Sequence, residues 1–277
     1  MGLINRLSKN NQRTTDFFRS LPQLYRMFKK QTKVEVVRIS VFVFLSKFIN
    51  MIVLFLPLKI LFVLSGINDM QPVEDIEIEG SQNILSLQGI ENTIGRDVYI
   101  GSMIGIIAAL FVLNVVLQIY KVKLLNRQAT LIEKKKYEFR GLEKSHQVIL
   151  KTYAPFCQLL GDILLILTIL IILFLLNIHY ALFYLGVIFI YGVIVEQWAF
   201  PAHQTKLMKK LGIGSKEFIN VTDILIFLIL FMGIVAVVLN TDMVVIIAIL
   251  MLILVRLGNG ALKSFFSCQI KLRQNYL

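Results

Sequence analysis

Residues 159–195 read LLGDILLILTILIILFLLNIHYALFYLGVIFIYGVIV, about two lengths of apolar chain with one charge, Asp162, and one polar interruption at Asn177-Ile178-His179-Tyr180. A run of roughly twenty apolar residues is what a helix needs to cross a ~30 Å hydrocarbon core. Two such runs joined by four residues must form a tight antiparallel hairpin. The spacing predicts helices over 159–177 and 180–200. The same pattern recurs downstream, where 221–239 and 243–262 are joined by Asn240-Thr241-Asp242. Upstream, a first crossing runs from Ile39 to Ser65 and contains Lys47, Asn50, Pro57 and Lys59; a second runs from Tyr99 to Tyr120. The expected fold class is therefore an all-α membrane protein with six transmembrane helices. The stripe of Leu124, Leu131, Tyr137 and Leu142 predicts that the second helix continues past the membrane before a turn near Gly141.

Charge sets the expected orientation. All but three of the 29 Lys and Arg lie in 1–38, 121–158, 201–220 and 256–277, the exceptions being Lys47, Lys59 and Arg96. The loop 66–98 instead holds Asp69, Glu74, Asp75, Glu77, Glu79, Glu91 and Asp97. The positive-inside rule then puts the links 121–158 and 201–220 and both termini in the cytoplasm, with the acidic loop outside. It also accounts for the net charge of +12 without a nucleic-acid partner. The domain organisation expected is a cytoplasmic N-terminal segment over 1–38, a six-helix membrane domain over 39–262 and a short cytoplasmic tail over 263–277.

Within the N-terminal segment, Phe17, Phe18, Leu21, Leu24, Tyr25 and Phe28 fall on one helical face, so 16–33 reads as an interfacial helix lying in the headgroup layer. No removable signal peptide is expected at MGLINRLSKNNQ. Cys157 and Cys268 fall near cytoplasmic helix ends, where they are expected as free thiols.

Enzymatic motifs do not emerge. Gly212-Ile213-Gly214-Ser215-Lys216 and the segment Gly258 to Ser264 lack the spacing in which backbone amides cradle a phosphate, and read as a loop and a packed helix end. His146, His179 and His203 have no neighbouring ligands at metal spacing. The chain is thus expected to be no enzyme and to hold no metal or cofactor. Ionisable residues inside apolar runs are costly in lipid and are the default functional candidates. Lys47, Asp162, Glu196, Asp223 and Arg256 all fall toward the cytoplasmic ends of five helices. They predict a polar vestibule open to the cytoplasm, with Lys47 and Arg256 pairing with the carboxylates inside the bundle. Gly101 and Gly105 have the small-xxx-small spacing of a helix-packing face.

Phe48-Ile49-Asn50, Leu54 and Leu56-Pro57-Leu58 in the first helix resemble the first transmembrane helix of ABC exporters of the bacterial type I protein-secretion class. The turn Asn240-Thr241-Asp242-Met243 and the helix carrying Ala248 and Arg256 are similar to helices five and six of that domain, and the interfacial helix resembles its elbow helix. The resemblance implies an exporter-like membrane domain in a bacterial inner membrane, working as a homodimer or in a larger complex. With no nucleotide-binding domain in the sequence, it implies a non-catalytic subunit for transport, secretion or scaffolding, or else an exporter half whose ATPase is a separate chain.

Single cysteines at Ser81, Lys135 and Lys209 test the expected topology. An impermeant thiol reagent applied to intact cells should label only the first, and labelling at position 135 would overturn the map.

Overall fold

Hydrocarbon offers no water to satisfy a backbone N–H or C=O, so an apolar run that enters it has to close its hydrogen bonds within itself. The computed structural model describes residues 21–22, 25–26, 28, 35–65, 96–134, 146–198, 214–241 and 245–276, and all of these except Asn177, Gly214 and Thr241 are helical. The six long helices are α1 (Glu35–Ser65), α2 (Arg96–Lys134), α3 (His146–Leu176), α4 (Ile178–Trp198), α5 (Ser215–Asn240) and α6 (Val245–Tyr276). Each holds a segment long and apolar enough to cross a membrane. The chain is therefore an all-helical, multi-pass membrane protein. The outer loop 66–98 up to residue 95, the turn expected near Gly141, and most of the link 201–220 lie outside the described residues.

Helix ends follow local hydrogen bonding. The α3–α4 hairpin is tighter than the four residues expected, with Asn177 alone between the helices. Its N–H donates to the Leu173 carbonyl at 2.8 Å, and its side-chain Oδ1 accepts the Tyr180 N–H at 2.8 Å. One asparagine thus ends one helix and caps the next. At the start of α5, Glu217 reaches back to accept the Gly214 N–H at 2.9 Å, so that glycine segment enters a helix. At the other end of α5, the Asn240 amide and the Thr241 hydroxyl donate to the carbonyls of Ala236 and Val237.

Three helices run further than their apolar cores predict. α3 starts at His146 rather than 159, α2 reaches Lys134, and α6 continues without a break through the expected tail to Tyr276. The reason is that apolar periodicity outlasts the apolar run. In α6, Ala261, Leu262, Phe266, Ile270 and Leu272 remain buried beyond residue 260 while Lys271 is exposed.

The described residues divide into two compact units, one made of Met1–Phe44 with Tyr120–Leu277, the other of Leu45–Ile119. In the first, α3 packs on α4, α4 on α5, α5 on α6 and α6 back on α3, a closed circuit in which α3 and α6 share the largest contact. Antiparallel register along α4–α5 is held at one end by Trp198 against Phe218 and at the other by the Tyr180 hydroxyl, which donates to the Leu230 carbonyl at 3.0 Å. Tyr180, Tyr184, Val187, Tyr191 and Val195 form the buried stripe of α4. A separate apolar cluster gathers the far ends of the long helices. It joins Val36, Ile39 and Val43 of α1, Leu124 of α2, Tyr153, Phe156, Cys157 and Leu159 of α3, and Cys268 and Leu272 of α6. Both cysteines are buried and neither is in a disulfide.

Phe28 also sits in this cluster, fully buried, with ring centroids 5.3 Å from both Tyr153 and Phe156. Of the N-terminal segment, Leu21, Pro22, Tyr25, Arg26 and Phe28 are described and helical, and Leu21 and Tyr25 also pack on the cluster. Part of the aromatic face expected to meet headgroups is therefore used against protein. In the second unit α1 and α2 meet through Leu56, Ile60, Ile100 and Met103.

Lipid tails are as apolar as leucine, so helix contacts in a membrane depend on close van der Waals fit. At Gly161 of α3, an added methyl would fall 2.7 Å from Val43 Cγ1 and 2.9 Å from the Ser40 carbonyl oxygen of α1. Backbone lies against backbone there. Around Gly101 and Gly105, by contrast, no described residue comes within 4 Å of such a methyl. Gly161→Ala should therefore destabilise the detergent-solubilised protein by about 1–3 kcal/mol through overpacking. Gly105→Ala should change it by less than about 0.5 kcal/mol, as for a surface position. Thermal unfolding of the two variants, followed by circular dichroism, checks the contrast.

Candidate functional site

The four helices α3–α6 carry four of the five ionisable residues expected to cluster, and the structure separates them into two levels. Asp223, eight residues into α5, faces α6. Arg256, Asn259 and Lys263 recur at spacings of three and four, which places them on one side of α6. Lys263 Nζ lies 3.6 Å from Asp223 Oδ2. The Asn259 amide donates to the Asp223 backbone carbonyl at 2.9 Å. Arg256 is within electrostatic reach of Asp223 but is exposed, and its guanidinium stacks over Phe227, 4.9 Å from the ring centroid and one turn along α5. Asp223 with Lys263 and Phe227 with Arg256 thus fix the antiparallel register of α5 against α6.

Glu196 makes a different contact. Its carboxylate takes a two-pronged ion pair from Arg273, at 3.0 and 3.1 Å, with both side chains at most 14% exposed. Arg273 lies ten residues beyond Lys263 on the same helix, roughly 15 Å at 1.5 Å per residue. The two ion pairs therefore occupy separate levels. Asp162 is fully buried on α3, next to the Gly161 contact with α1. A third polar crossing, between the Gln158 amide of α3 and the Ser264 hydroxyl of α6 at 2.8 Å, lies beside Lys263. Lys47 belongs to the Leu45–Ile119 unit and is described apart from these four.

Sequence reasoning missed Lys263 and Arg273 because the sixth helix was expected to end at residue 262, and Asn259 because only ionisable residues in the apolar runs stand out as candidates. The signal was present in the periodicity: Arg256, Asn259 and Lys263 share one face, and the buried apolar positions continue beyond them. The segment from Gly258 is a packed part of the helix, as expected, with Gly258 against the Tyr184 hydroxyl of α4. A side chain at 258 has no room.

What this seam does chemically follows from its unused atoms. Oδ1 of Asp223, Oδ1 of Asn259 and the hydroxyls of Tyr184 and Tyr191 are buried without a hydrogen-bond partner among the described residues. Tyr191 is within electrostatic reach of Asp223 and stacks edge-on to Phe266 of α6 at 4.9 Å. The seam is thus a polar stripe inside an apolar bundle, weighted toward oxygen acceptors and bounded by two cations. Breaking one member leaves a charge in a poorly solvated place, which costs more than the intact pair contributes. Among the described residues no three His, Cys, Asp or Glu side chains gather as a metal site would require.

Comparison with protein-family models, with curated proteins and with solved structures found no match to this chain.

The seam predicts non-additivity. Asp223→Asn, Lys263→Met and the double variant, measured by thermal unfolding in one detergent, should show a coupling of about 0.5–3 kcal/mol. The Glu196–Arg273 cycle should couple more strongly because that pair is two-pronged and less exposed. Additive losses in both cycles would reduce the ion pairs to incidental contacts.

Proposed function

We propose that this chain is a non-catalytic, exporter-like membrane subunit that works by holding a cytoplasmic partner against the bilayer. The observation that carries the reading is the length and convergence of three helices. α2, α3 and α6 have 39, 31 and 32 residues, roughly 58, 46 and 48 Å at 1.5 Å per residue, against the ~30 Å of a hydrocarbon core. If each span crosses once, the end of α2, the start of α3 and the end of α6 emerge on one side. The apolar cluster of Leu124, Tyr153, Phe156, Cys268 and Leu272 supports this, since it joins those three ends to each other and to Phe28. Their outer surface is basic and accessible: Lys123, Arg127, Lys151 and Lys271 are exposed. Such a braced, positively charged projection belongs in the cytoplasm by the positive-inside rule and offers a rigid surface to an acidic partner. In this reading the N-terminal segment that carries Leu21, Tyr25 and Phe28 is an elbow leading the chain into α1.

A second reading is favoured by one feature. α2 and α3 continue as helices over 121–134 and 146–158, the kind of extension through which exporter membrane domains engage an ATPase. On that reading the partner is a separate ATPase chain and the assembly moves a substrate.

Affinity purification of the full chain from native membranes separates these readings. A cytoplasmic partner should be recovered with it, and Lys123→Glu with Arg127→Glu should lower that recovery about tenfold or more while leaving membrane insertion unchanged. An ATPase among the recovered chains would favour the second reading. The chain by itself should neither bind nor hydrolyse ATP. Turnover abolished by substitution at Lys216 or Lys263 would overturn the non-catalytic assignment.

A further inference from the structure

Three helices of one compact unit each bring an unused oxygen to the neighbourhood of Asp223. Oδ1 of Asp223 on α5, Oδ1 of Asn259 on α6 and the hydroxyl of Tyr191 on α4 are buried without a hydrogen-bond partner among the described residues. Asn259 and Tyr191 are 2% and 0% exposed. The Asn259 amide is tied to the Asp223 backbone carbonyl at 2.9 Å, and Tyr191 lies within electrostatic reach of the Asp223 carboxylate.

Those contacts fix what the group offers. With Nδ2 of Asn259 donating to a carbonyl, Oδ1 of the same amide remains as an acceptor; an ionised carboxylate only accepts, and a phenol oxygen accepts as well as donates. The ligand that suits them therefore brings positive charge or hydrogen-bond donors. The counter-charge already present covers the carboxylate only in part. Lys263 Nζ lies 3.6 Å from Oδ2, beyond the length of about 2.7–2.9 Å of a charge-assisted hydrogen bond. It approaches from the accessible side, its side chain 41% exposed against 15% for Asp223. Oδ1 is the buried oxygen, and a carboxylate oxygen left bare in a poorly solvated place is costly.

We propose that Asp223, Asn259 and Tyr191 bind a monovalent alkali cation inside the bundle, in competition with the Lys263 ammonium. Hard cations take oxygen ligands, and carboxylate, amide and phenol oxygens meet that need together. One carboxylate is too little negative charge for a divalent ion, whose sites gather several. Arg256, stacked over Phe227, adds a second positive charge near Asp223, so binding is weak and sensitive to Lys263. Because ion and lysine share one carboxylate, occupancy loosens the Asp223–Lys263 contact that sets α5 against α6. The seam thereby responds to the alkali cation of the medium. The site uses none of the basic residues of the projecting surface and stands whatever partner that surface holds.

The test uses the full chain purified in detergent, with thermal unfolding followed in chloride salts of sodium, potassium or N-methyl-D-glucamine at equal ionic strength. Sodium or potassium should raise the midpoint saturably and N-methyl-D-glucamine should not, as for a ligand that binds only the folded state. Lys263→Met should lower the apparent dissociation constant about tenfold or more, since a like charge beside the ion is removed. Tyr191→Phe, which keeps the ring against Phe266, should raise it about threefold or more. If the variants do not fold, binding of radioactive sodium or rubidium to the unsubstituted chain, displaced by the unlabelled salt, decides the matter. A midpoint that follows ionic strength alone, or no saturable binding of either radioactive ion, would overturn the proposal and leave these oxygens to ordered water. Binding that Lys263→Met leaves unchanged would overturn it as well.

Discussion

A polar group carried into hydrocarbon has to find its hydrogen bond inside the protein, and the architecture of this chain follows from that constraint. The backbone meets it by forming six uninterrupted helices. The side chains meet it in two ways. Ser40, Thr168 and Thr222 donate back to the carbonyl four residues earlier in their own helix, at 2.8–2.9 Å, and so become neutral passengers of the span. Residues that do not bond locally cross to another helix: Tyr180 to α5, Asn259 to α5, Gln158 to α6, Asn114 to α1. These crossings are the specific contacts of the fold, because apolar side chains alone scarcely distinguish a neighbouring helix from lipid.

Apolar burial plays a secondary part for the same reason. No span has more than 39% of its most apolar window buried within the chain, and in α2 the share is 11%. Ile104, Val112, Val116 and Ile119 of α2 are all more than half exposed, as a lipid-facing helix should be. Tight fit appears instead at particular places. At Gly161 backbone approaches backbone, and at Gly258 the Tyr184 ring lies on the helix. The aromatic cluster around Phe28 adds edge contacts, each contributing about 0.5–1.5 kcal/mol beyond area burial.

The two ion-pair levels extend this logic to charge. Asp223 lies near the start of α5, and its partner Lys263 is 41% exposed, so that pair retains some solvation and acts chiefly on register. Glu196 and Arg273 are nearly enclosed and form a fork, which pins the far end of α6 to α4. Together with the apolar cluster of the long-helix ends, the fork ties these helix ends together. For the partner-holding role proposed above, such rigidity lowers the entropy lost on binding.

Much of this was legible without a structure. Six crossings, the two hairpins and the continuation of α2 follow from the length of apolar runs and from the 3.6-residue period, which depend on local sequence and the thickness of a bilayer. The candidate charges were legible as well, because any ionisable residue in an apolar run stands out by its cost. Their pairing was not. Arg256 was expected to neutralise a buried carboxylate, whereas Lys263 lies nearer Asp223 and Arg273 holds Glu196; which cation meets which carboxylate depends on the rotation and offset of helices about one another. Glycine spacing did not locate the close contact within the chain for a related reason. No described residue comes within 4 Å of a methyl added at Gly101 or Gly105, while Gly161, isolated in sequence, carries the close contact. Sequence by itself determined what each segment is and which of its residues are costly in lipid, since both are properties of a single helix. Only the tertiary structure decided how those residues are satisfied, since a hydrogen bond or ion pair between helices depends on atoms far apart in the chain meeting within about 3–4 Å.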